Sequence, residues 1–317
     1  MADNQPSCLN YDGAHTKPRV AVKAKDAAEA LGAAAALASL EEIVLSPKPG
    51  LVDPSDSGSH DDMTWTTFLA SASALAPFWR AQAMDGIIYG NYKPSDGLLA
   101  KLRLRGKEME RTMFSATGGV NAHKGLIFAL SLLLGAAGSC LARGNYSPSA
   151  VCARAGEIIA PSAEEDLRSI AAKAGNGEPL THGEKIFIEH GIGGIRSEAA
   201  AGFPSLLAAL GEMEDALSGG AGMRGATLCA LLRLMLVTED TNVIHRAGIE
   251  FWRGEYMEKT RSAKNNFDPA NPSDNAPLME LNKFLSKYRA SPGGSADLLA
   301  CTLFIYRSKM LDNIFIS

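Results

Sequence analysis

Long runs rich in alanine and leucine alternate with short breaks of glycine, proline and serine along most of this chain. The sequence shows no succession of alternating β-branched residues that would predict strands. The pattern predicts helices over residues 26–45, 62–84, 95–117, 121–143, from 148 onward, 181–190, 198–217, 226–237, 277–288 and 295–310. We therefore expect an all-α fold, a single multi-helix bundle over residues 26–317 that follows a flexible leader over residues 1–25.

Helix starts are predicted from local signals. Ser147 followed by Pro148 combines an N-cap with a proline suited to the first helical turn. Thr181 and Glu184 have the spacing of a capping box, which opens a short helix. Residues 261–275 are polar and rich in proline and asparagine, and they are predicted to form a loop.

Composition narrows the class of protein without naming one. The 317 residues are 46% hydrophobic and 21% charged, which is ordinary for a globular chain. Lys and Arg number 31 against 35 for Asp and Glu, a formal net charge of −4, so a global basic field for nucleic acid or membrane is absent. Aromatic residues are 7%, too few to predict a platform that stacks bases.

Cellular location is predicted from the cysteines and the amino terminus. The 5 cysteines are scattered and form no Cys-x-x-Cys pair, so we expect free thiols in a reducing cytoplasm. The first residues lack the basic start and apolar region of a signal peptide. Residues 126–142 carry no charge but are rich in small residues, which favours a buried core helix over a membrane span.

Polar clusters lie in the breaks between the apolar helices. They occupy residues 48–62, 117–124, 196–198, 239–246 and 291–297. In a bundle, such breaks can converge and form a pocket, so the single domain is expected to carry its site on loops and helix ends. The phosphate loop, the dinucleotide fingerprint and the His-Glu-x-x-His zinc motif are all absent from the sequence.

The residues in these breaks resemble those of the triphosphoribosyl-dephospho-coenzyme A synthases. Five motifs occur in family order, namely SPKPGLVD (46–53) with GSHDDM (58–63), Glu110-x-x-Met113 with ATGGVNAHKG (116–125), GIRSEA (194–199) with GFP (202–204), DTN (240–242) with HR (245–246), and SPGGSADLLA (291–300). The sequence departs from the family pattern at Ala122, Ser197 and Ala247, which stand where Thr, Gly and Gly are usual.

The resemblance implies a transferase. Family members join the triphosphoribosyl unit of ATP to the 2′-hydroxyl of 3′-dephospho-coenzyme A and release adenine. Their product becomes the prosthetic group of an acyl carrier protein of citrate lyase or malonate decarboxylase, after transfer by a carrier-protein holo-synthase. The bond broken is N-glycosidic, and the inversion at its carbon implies a single displacement. Mg²⁺ is expected to accompany ATP.

The resemblance also implies roles for individual residues. The binding residues are expected to be Lys48, Lys124, Arg196 and Arg246 for the triphosphate, and Asn121, Asn242 and a protonated His123 for the departing adenine. The candidate general bases are Asp62, His60 and Asp240. Glu198 or Asp53 is expected to stabilise positive charge on the ribose. The expected Mg²⁺ ligands are Asp62, Glu198 and Asp240.

Two other functions stay open from the sequence. A metal-dependent helical phosphohydrolase would use His60-Asp61 and Asp240 and would hydrolyse nucleotides without an acceptor. A helical protein that only binds coenzyme A or a carrier protein would show no turnover. The sequence leaves homo-oligomer formation open, and it does not separate the citrate lyase pathway from the malonate decarboxylase pathway, although citrate lyase is slightly favoured.

Overall fold

The structure is a computed structural model, which describes residues 17–90, 97–271, 273 and 275–311. The α-helices in these ranges are Lys17–Val44 (α1), Trp65–Tyr89 (α2), Leu98–Ala116 (α3), Lys124–Ala142 (α4), Pro148–Gly175 (α5), His182–His190 (α6), Gly194–Ala200 (α7), Pro204–Ser218 (α8), Met223–Val237 (α9), Thr241–Ala247 (α10), Ile249–Phe251 (α11), Met257–Asn266 (α12), Ala276–Lys287 (α13) and Gly293–Ser308 (α14). A π-helical turn at Trp252–Tyr256 joins α11 to α12, and a 3-10 turn follows α14. No strand occurs in the described ranges, so the all-α prediction is confirmed.

The helix boundaries differ from the predicted ones at the start of the chain. Helix α1 already begins at Lys17, within the stretch that was predicted to be a flexible leader. Residues 1–16, residue Ser95 at the start of the predicted helix over residues 95–117, and residues 312–317 lie outside the described residues.

The predicted loop over residues 261–275 is wrong in its first part, because α12 continues to Asn266. Tyr256, Thr260, Ala263 and Phe267 are all buried and recur at helical spacing, so one face of this polar segment packs on the core. The segment is too polar overall for this narrow apolar face to be recognised in the sequence. Packing of that face on the core stabilises the helix, which composition alone does not predict.

The predicted helix over residues 198–217 is also wrong, since the structure divides it into α7 and α8. Pro204 stands at the first position of α8 instead of inside a helix. Phe203, just before it, has a φ of 56° and no exposed surface. A residue that precedes proline is disfavoured in the α region, which explains why the chain turns at this point.

The predicted caps are confirmed. Ser147 Oγ accepts a hydrogen bond from the Ala150 N–H at 3.1 Å and starts α5. At the start of α6, the Glu184 carboxylate accepts from the Thr181 N–H at 2.8 Å. This bond, together with the Lys173 ammonium, lowers the pKa of Glu184 to about 2. The capping box fixes where α6 begins, and therefore where His182 lies.

Helix α4 is the centre of the bundle, and it packs against α2 through glycines. A Cβ atom added to Gly86 would lie 2.1 Å from the Gly135 carbonyl oxygen, and one added to Gly138 would lie 2.2 Å from the Ala83 carbonyl oxygen. Only glycine permits backbones to approach so closely. One core cluster extends from Ala28 to Ile305 through these helices.

Helix α4 is long and apolar enough to cross a membrane by length and composition alone, and it is the single such helix in the described residues. Its most apolar window is 78% buried inside the fold. This burial agrees with the predicted core helix.

Candidate active site

A cavity of about 630 Å³ opens where several helix ends meet. Its walls are the end of α1, the segment that joins α1 to α2, the starts of α4 and α14, and helix α10 with the first residue of α6. Most of the predicted site residues line it, namely Lys48, His60, Asp62, Asn121, His123, Lys124, Asn242 and Arg246. The breaks between the apolar helices therefore converge on one pocket. Asp53, Arg196, Glu198 and Asp240 are not part of its lining.

Lys48 is buried on the cavity wall, and its charge is already paired. Its Nζ donates to Glu42 Oε1 at 2.6 Å and to the Glu42 carbonyl oxygen at 2.8 Å. The Lys48 N–H donates to Asp53 Oδ2 at 2.8 Å, and Asp53 Oδ1 accepts from the N–H groups of Ser55 and Asp56. Asp53 therefore holds the loop that positions Lys48 and does not face the substrate space.

Asp240 joins two helices that form the cavity wall. Its Oδ1 accepts from the Asn242 N–H at 3.1 Å, which caps α10. Its Oδ2 accepts from Ser295 N–H at 2.9 Å and from Ser295 Oγ at 3.0 Å, which caps α14. The side chain is almost completely buried, and burial raises its pKa against these hydrogen bonds. This geometry fits a helix-capping residue better than the predicted general base.

Glu198 and Arg196 lie away from the cavity. Glu198 Oε1 accepts from the Ser205 N–H at 2.7 Å, and Oε2 accepts from Ser205 Oγ at 2.9 Å, so its carboxylate caps the start of α8. Burial raises the pKa of Glu198. Arg196 is exposed on the short helix α7.

The three predicted Mg²⁺ ligands are not brought together. Asp62 lines the cavity, Asp240 caps two helices of the cavity wall, and Glu198 caps α8 away from the cavity. Within the described ranges, no group of three or more His, Cys, Asp or Glu side chains is arranged to hold a metal ion. Glu239 and Asp297 line the cavity and form no ion pair with any described residue. A Mg²⁺ ion that enters with ATP needs only one or two carboxylates beside the phosphate oxygens, and the lining can supply these.

His60 is the centre of a polar cluster on the cavity wall. Its Nε2 lies 2.9 Å from Ser291 Oγ, and its Nδ1 lies 3.3 Å from Arg246 Nη2 and 3.5 Å from Asp62 Oδ1. Burial and the positive charge of Arg246 lower the pKa of His60, against the opposite effect of Asp62. Because arginine can only donate, the lone pair of Nδ1 accepts from Arg246, and Nε2–H donates to Ser291. The imidazole is therefore neutral near pH 7.

His123 lines the cavity and has one ring nitrogen without a hydrogen-bond partner. Its Nδ1 lies 2.7 Å from Ser71 Oγ, and its ring packs edge-on against Phe68. Its Nε2 is buried without a hydrogen-bond partner in the described structure. An unsatisfied buried nitrogen on a cavity wall suggests that a ligand completes its hydrogen bonding.

The predicted protonation of His123 is not supported by its surroundings. Burial and the nearby Lys48 lower the pKa of His123 to about 3. We expect the His123 imidazole to remain neutral from pH 5 to pH 8 in the free protein, whereas an ordinary imidazole titrates near 6.5 in that interval. Nuclear magnetic resonance of histidines labelled with ¹⁵N would measure this, with His123→Asn assigning the signal. A titration midpoint above pH 5 for His123 would contradict the expectation.

The start of α4 packs directly against α14. A Cβ atom on Gly125 would lie 2.0 Å from Asp297 Oδ2, so glycine is required for this contact. Burial and the charges of Glu42 and Asp240 raise the pKa of Asp297 well above its usual value, and the Leu126 N–H opposes this shift. Asn121 Oδ1 accepts from the Lys124 N–H at 3.2 Å, while the Lys124 ammonium lies 3.5 Å from Glu110 on α3.

The departures from the family pattern do not disturb the cavity. Ala122 lines it, and Ser197 is exposed on α7. Ala247 is the last residue of α10, and the positive φ that follows is taken by Gly248 at 92°. The backbone at Ala247 therefore does not require glycine.

Several lining residues were not predicted from the sequence. They are Glu42, Phe68, His182, Thr238, Glu239 and Asp297. Asp297 and Glu239 belong to polar clusters that the sequence does show, but Glu42 and Phe68 are inside helices with no distinguishing signal. His182 resembles an ordinary surface residue until α6 and α10 are packed together.

Comparison with known proteins agrees with this site. The model of the ATP:dephospho-CoA triphosphoribosyl transferase family matches residues 28–314. The chain belongs to this family. It is therefore a transferase, and the resemblance seen in its five motifs is confirmed. Every motif lies inside the matched range, and all five contribute residues to the cavity lining, the third of them through Ile195.

Curated relatives from streptococci are similar over most of their length. A probable 2-(5″-triphosphoribosyl)-3′-dephosphocoenzyme-A synthase from Streptococcus mutans is 38% identical over 277 residues, covering 84% of this chain and 91% of the relative. Relatives with the same description from Streptococcus pyogenes and Streptococcus equi subsp. zooepidemicus are each 39% identical, over 287 and 280 residues. These cover 86% and 84% of this chain, and 95% and 92% of the relatives. No solved structure matches the chain.

Proposed function

We propose that this cavity binds ATP and 3′-dephospho-coenzyme A and transfers the triphosphoribosyl unit to the 2′-hydroxyl of the acceptor, with release of adenine. The observation that carries this proposal is a neutral, partly buried His60 in contact with an arginine that has no acidic partner among the described residues. Such a pair combines a proton acceptor with a phosphate-binding cation, and this transfer requires both groups.

Arg246 is the cation best placed for the triphosphate. Lys48 is paired with Glu42, and Lys124 lies near Glu110, whereas Arg246 contacts only the Ser59 carbonyl oxygen and His60 Nδ1 among its described neighbours. A planar guanidinium binds phosphate oxygens in pairs. When bound with ATP, Mg²⁺ would neutralise part of the triphosphate charge, and Glu239 on the segment before α10 could hold it together with phosphate oxygens.

The acceptor hydroxyl can lose its proton to His60. In the free protein the lone pair of His60 Nδ1 is engaged by Arg246. When Arg246 moves to a phosphate oxygen, that lone pair becomes available to the acceptor hydroxyl, and Asp62 lies 3.5 Å from the same nitrogen to stabilise the imidazolium. Binding of ATP would thus free the base for the acceptor hydroxyl.

The departing adenine needs hydrogen-bond donors on its ring nitrogens. If Ser71 donates to His123 Nδ1, the neutral ring carries its proton on Nε2 and can donate it into the cavity. Asn121 and Asn242 also line the cavity and can donate through their amide groups. Of the carboxylates expected to stabilise the ribose, neither Glu198 nor Asp53 faces this space.

The fate of the product and the cellular location are inferred from the family and from the cysteines, and not from the cavity. We propose that the product serves a carrier protein of citrate lyase, by way of a holo-synthase, in preference to malonate decarboxylase. Cys140, Cys152, Cys229 and Cys301 are buried free thiols, which supports work in a reducing cytoplasm.

The experiment is to incubate the pure protein with ATP and Mg²⁺, with and without 3′-dephospho-coenzyme A. We expect free adenine to appear at a rate that depends on the acceptor, with the coupled product gaining the mass of a triphosphoribosyl unit. Release of ADP, AMP or phosphate without adenine would contradict the proposal.

The phosphohydrolase reading is not favoured by the geometry. Asp61, which it pairs with His60 at the metal, points away and bonds to Arg289 on the surface at 2.5 Å. Asp240 uses its oxygens to cap α10 and α14. The residues that this function needs are therefore separated.

A further inference from the structure

Two imidazoles at the mouth of the cavity stack on each other. The ring centroids of His182 and His245 are 3.6 Å apart, and their planes differ by 18°. His182 is the first residue of α6, His245 is in the last turn of α10, and both line the cavity. The two helices bring together residues that are far apart in the sequence.

The surroundings of this pair are positive. Burial, His182, Arg246 and Lys185 all lower the pKa of His245. Neither imidazole has an acidic partner within 4 Å among the described residues, since the ion pairs of α6 are Lys173 with Glu184 and His190 with Glu189. The charged and titratable groups of the adjoining lining are His60, Asp62, Glu239 and Arg246.

Resting on the proposed function, we propose that the His182–His245 pair is a polyphosphate-binding element, which takes up one proton from solvent when a substrate phosphate chain binds beside Arg246. An anion placed beside two imidazoles and a guanidinium favours the imidazolium form, so binding and protonation strengthen each other. Mutual repulsion of two imidazolium ions limits the uptake to one proton.

A phosphate chain explains this arrangement better than an adenine ring does. One face of each imidazole is already covered by the other, and the neighbouring Arg246 and Lys185 add positive charge that a neutral base does not need. The unpaired His123 Nε2 and the ring of Phe68 offer the base a separate, buried wall. The phosphate chain could be that of ATP or the diphosphate of 3′-dephospho-coenzyme A.

Titration calorimetry with inorganic tripolyphosphate, without Mg²⁺, tests the pair directly. The wild type is compared with the double variant His182→Asn, His245→Asn and with His190→Asn, which alters a histidine outside the cavity lining. We expect the wild type and His190→Asn to bind tripolyphosphate about three- to tenfold more weakly at pH 8 than at pH 6. This factor is counted after division by the change in affinity that the double variant shows between the same two pH values. The sign follows because the protonated pair binds, so affinity falls as pH rises through the pKa of the complex.

Two buffers with different ionisation enthalpies measure the protons taken up, which a purely structural role would not change. The wild type should take up more protons than the double variant on binding tripolyphosphate. The titration is then repeated with ATP and with 3′-dephospho-coenzyme A. The substrate whose affinity loses its pH dependence in the double variant is the one whose phosphate chain the pair binds.

Equal proton uptake and equal pH dependence in all three proteins would overturn the inference. So would a double variant that binds ATP more weakly but tripolyphosphate as well as the wild type, because the pair would then contact the base. Failure of the proposed function is distinguishable, because it appears as absence of adenine release by the wild type.

Discussion

His60→Gln is expected to slow acceptor-dependent adenine release by about 10²- to 10⁴-fold, which is the usual contribution of a positioned general base. Glutamine can still form hydrogen bonds toward Ser291 and Arg246 but cannot accept the proton at neutral pH. The measurement is kcat at saturating ATP and acceptor. Because Arg246 is retained, the affinity for ATP should change much less than kcat.

The pH profile separates a base from a structural residue. The base must be neutral to work, so wild-type kcat should fall as pH drops through the pKa that His60 has in the complex with both substrates. In the free protein, burial and Arg246 lower the pKa of His60, and the departure of Arg246 to a phosphate removes the second of these effects. This acid limb should be absent in His60→Gln. The polyphosphate affinity expected for the His182–His245 pair changes in the opposite direction, since it rises at low pH. Measurement at saturating ATP keeps the two effects apart, because kcat then does not depend on the affinity for ATP.

Asp61→Asn is the matched control, since it changes the next residue, whose carboxylate bonds to Arg289 on the exposed surface. Exposed pairs of this kind contribute at most about 1 kcal/mol, so stability and turnover should stay near those of the wild type. A His60→Gln variant that turns over within threefold of the wild type would remove His60 from the mechanism.

Asp240→Ala is expected to lower the free energy of unfolding by about 2–4 kcal/mol, because it removes a cap from each of two helices and leaves their donors unsatisfied. The change leaves the N–H groups of Asn242 and Ser295 without their acceptor and disconnects α10 from α14. Since both helices form the cavity wall, activity should fall together with stability. Urea unfolding followed by circular dichroism measures the first effect, and the adenine assay measures the second.

Asp268→Ala is a matched control for the loss of a capping carboxylate. Among the described residues, Asp268 Oδ1 accepts only from the Ala270 N–H, in an exposed loop, so its removal should cost about 1 kcal/mol or less. Asp240→Asn keeps the shape and one carbonyl oxygen, and it should be less destabilised than Asp240→Ala. An Asp240→Asn protein with wild-type stability and no turnover would instead restore Asp240 as a catalytic residue.

Local features of the fold were predictable from the sequence. The caps at Ser147 and Thr181 depend on hydrogen bonds that span three residues, so neighbouring letters are sufficient to predict them. The apolar helix α4 is predicted from an uninterrupted run. By contrast, α12 was missed because only tertiary contacts use its narrow buried face.

The candidate site was predictable only in part, for the same reason. Motif residues such as His60, Asn121 and Arg246 were identified, and they do line one cavity. Their chemical roles depend on distant partners, however. In the sequence, Asp240 and Glu198 were candidate catalytic residues. In the structure, the residues that hydrogen-bond to them show that they cap helices.

The sequence by itself determined that this protein is helical, which family it belongs to, and which polar segments interrupt its helices. These properties follow from short-range periodicity, local capping and ordered motifs. Only the tertiary structure decided which side chains face the cavity, since His60 meets Ser291 across 231 positions and His182 meets His245 across two helices. Burial and electrostatic environment arise from such long-range packing, so protonation states and catalytic roles follow from the fold and not from the order of residues.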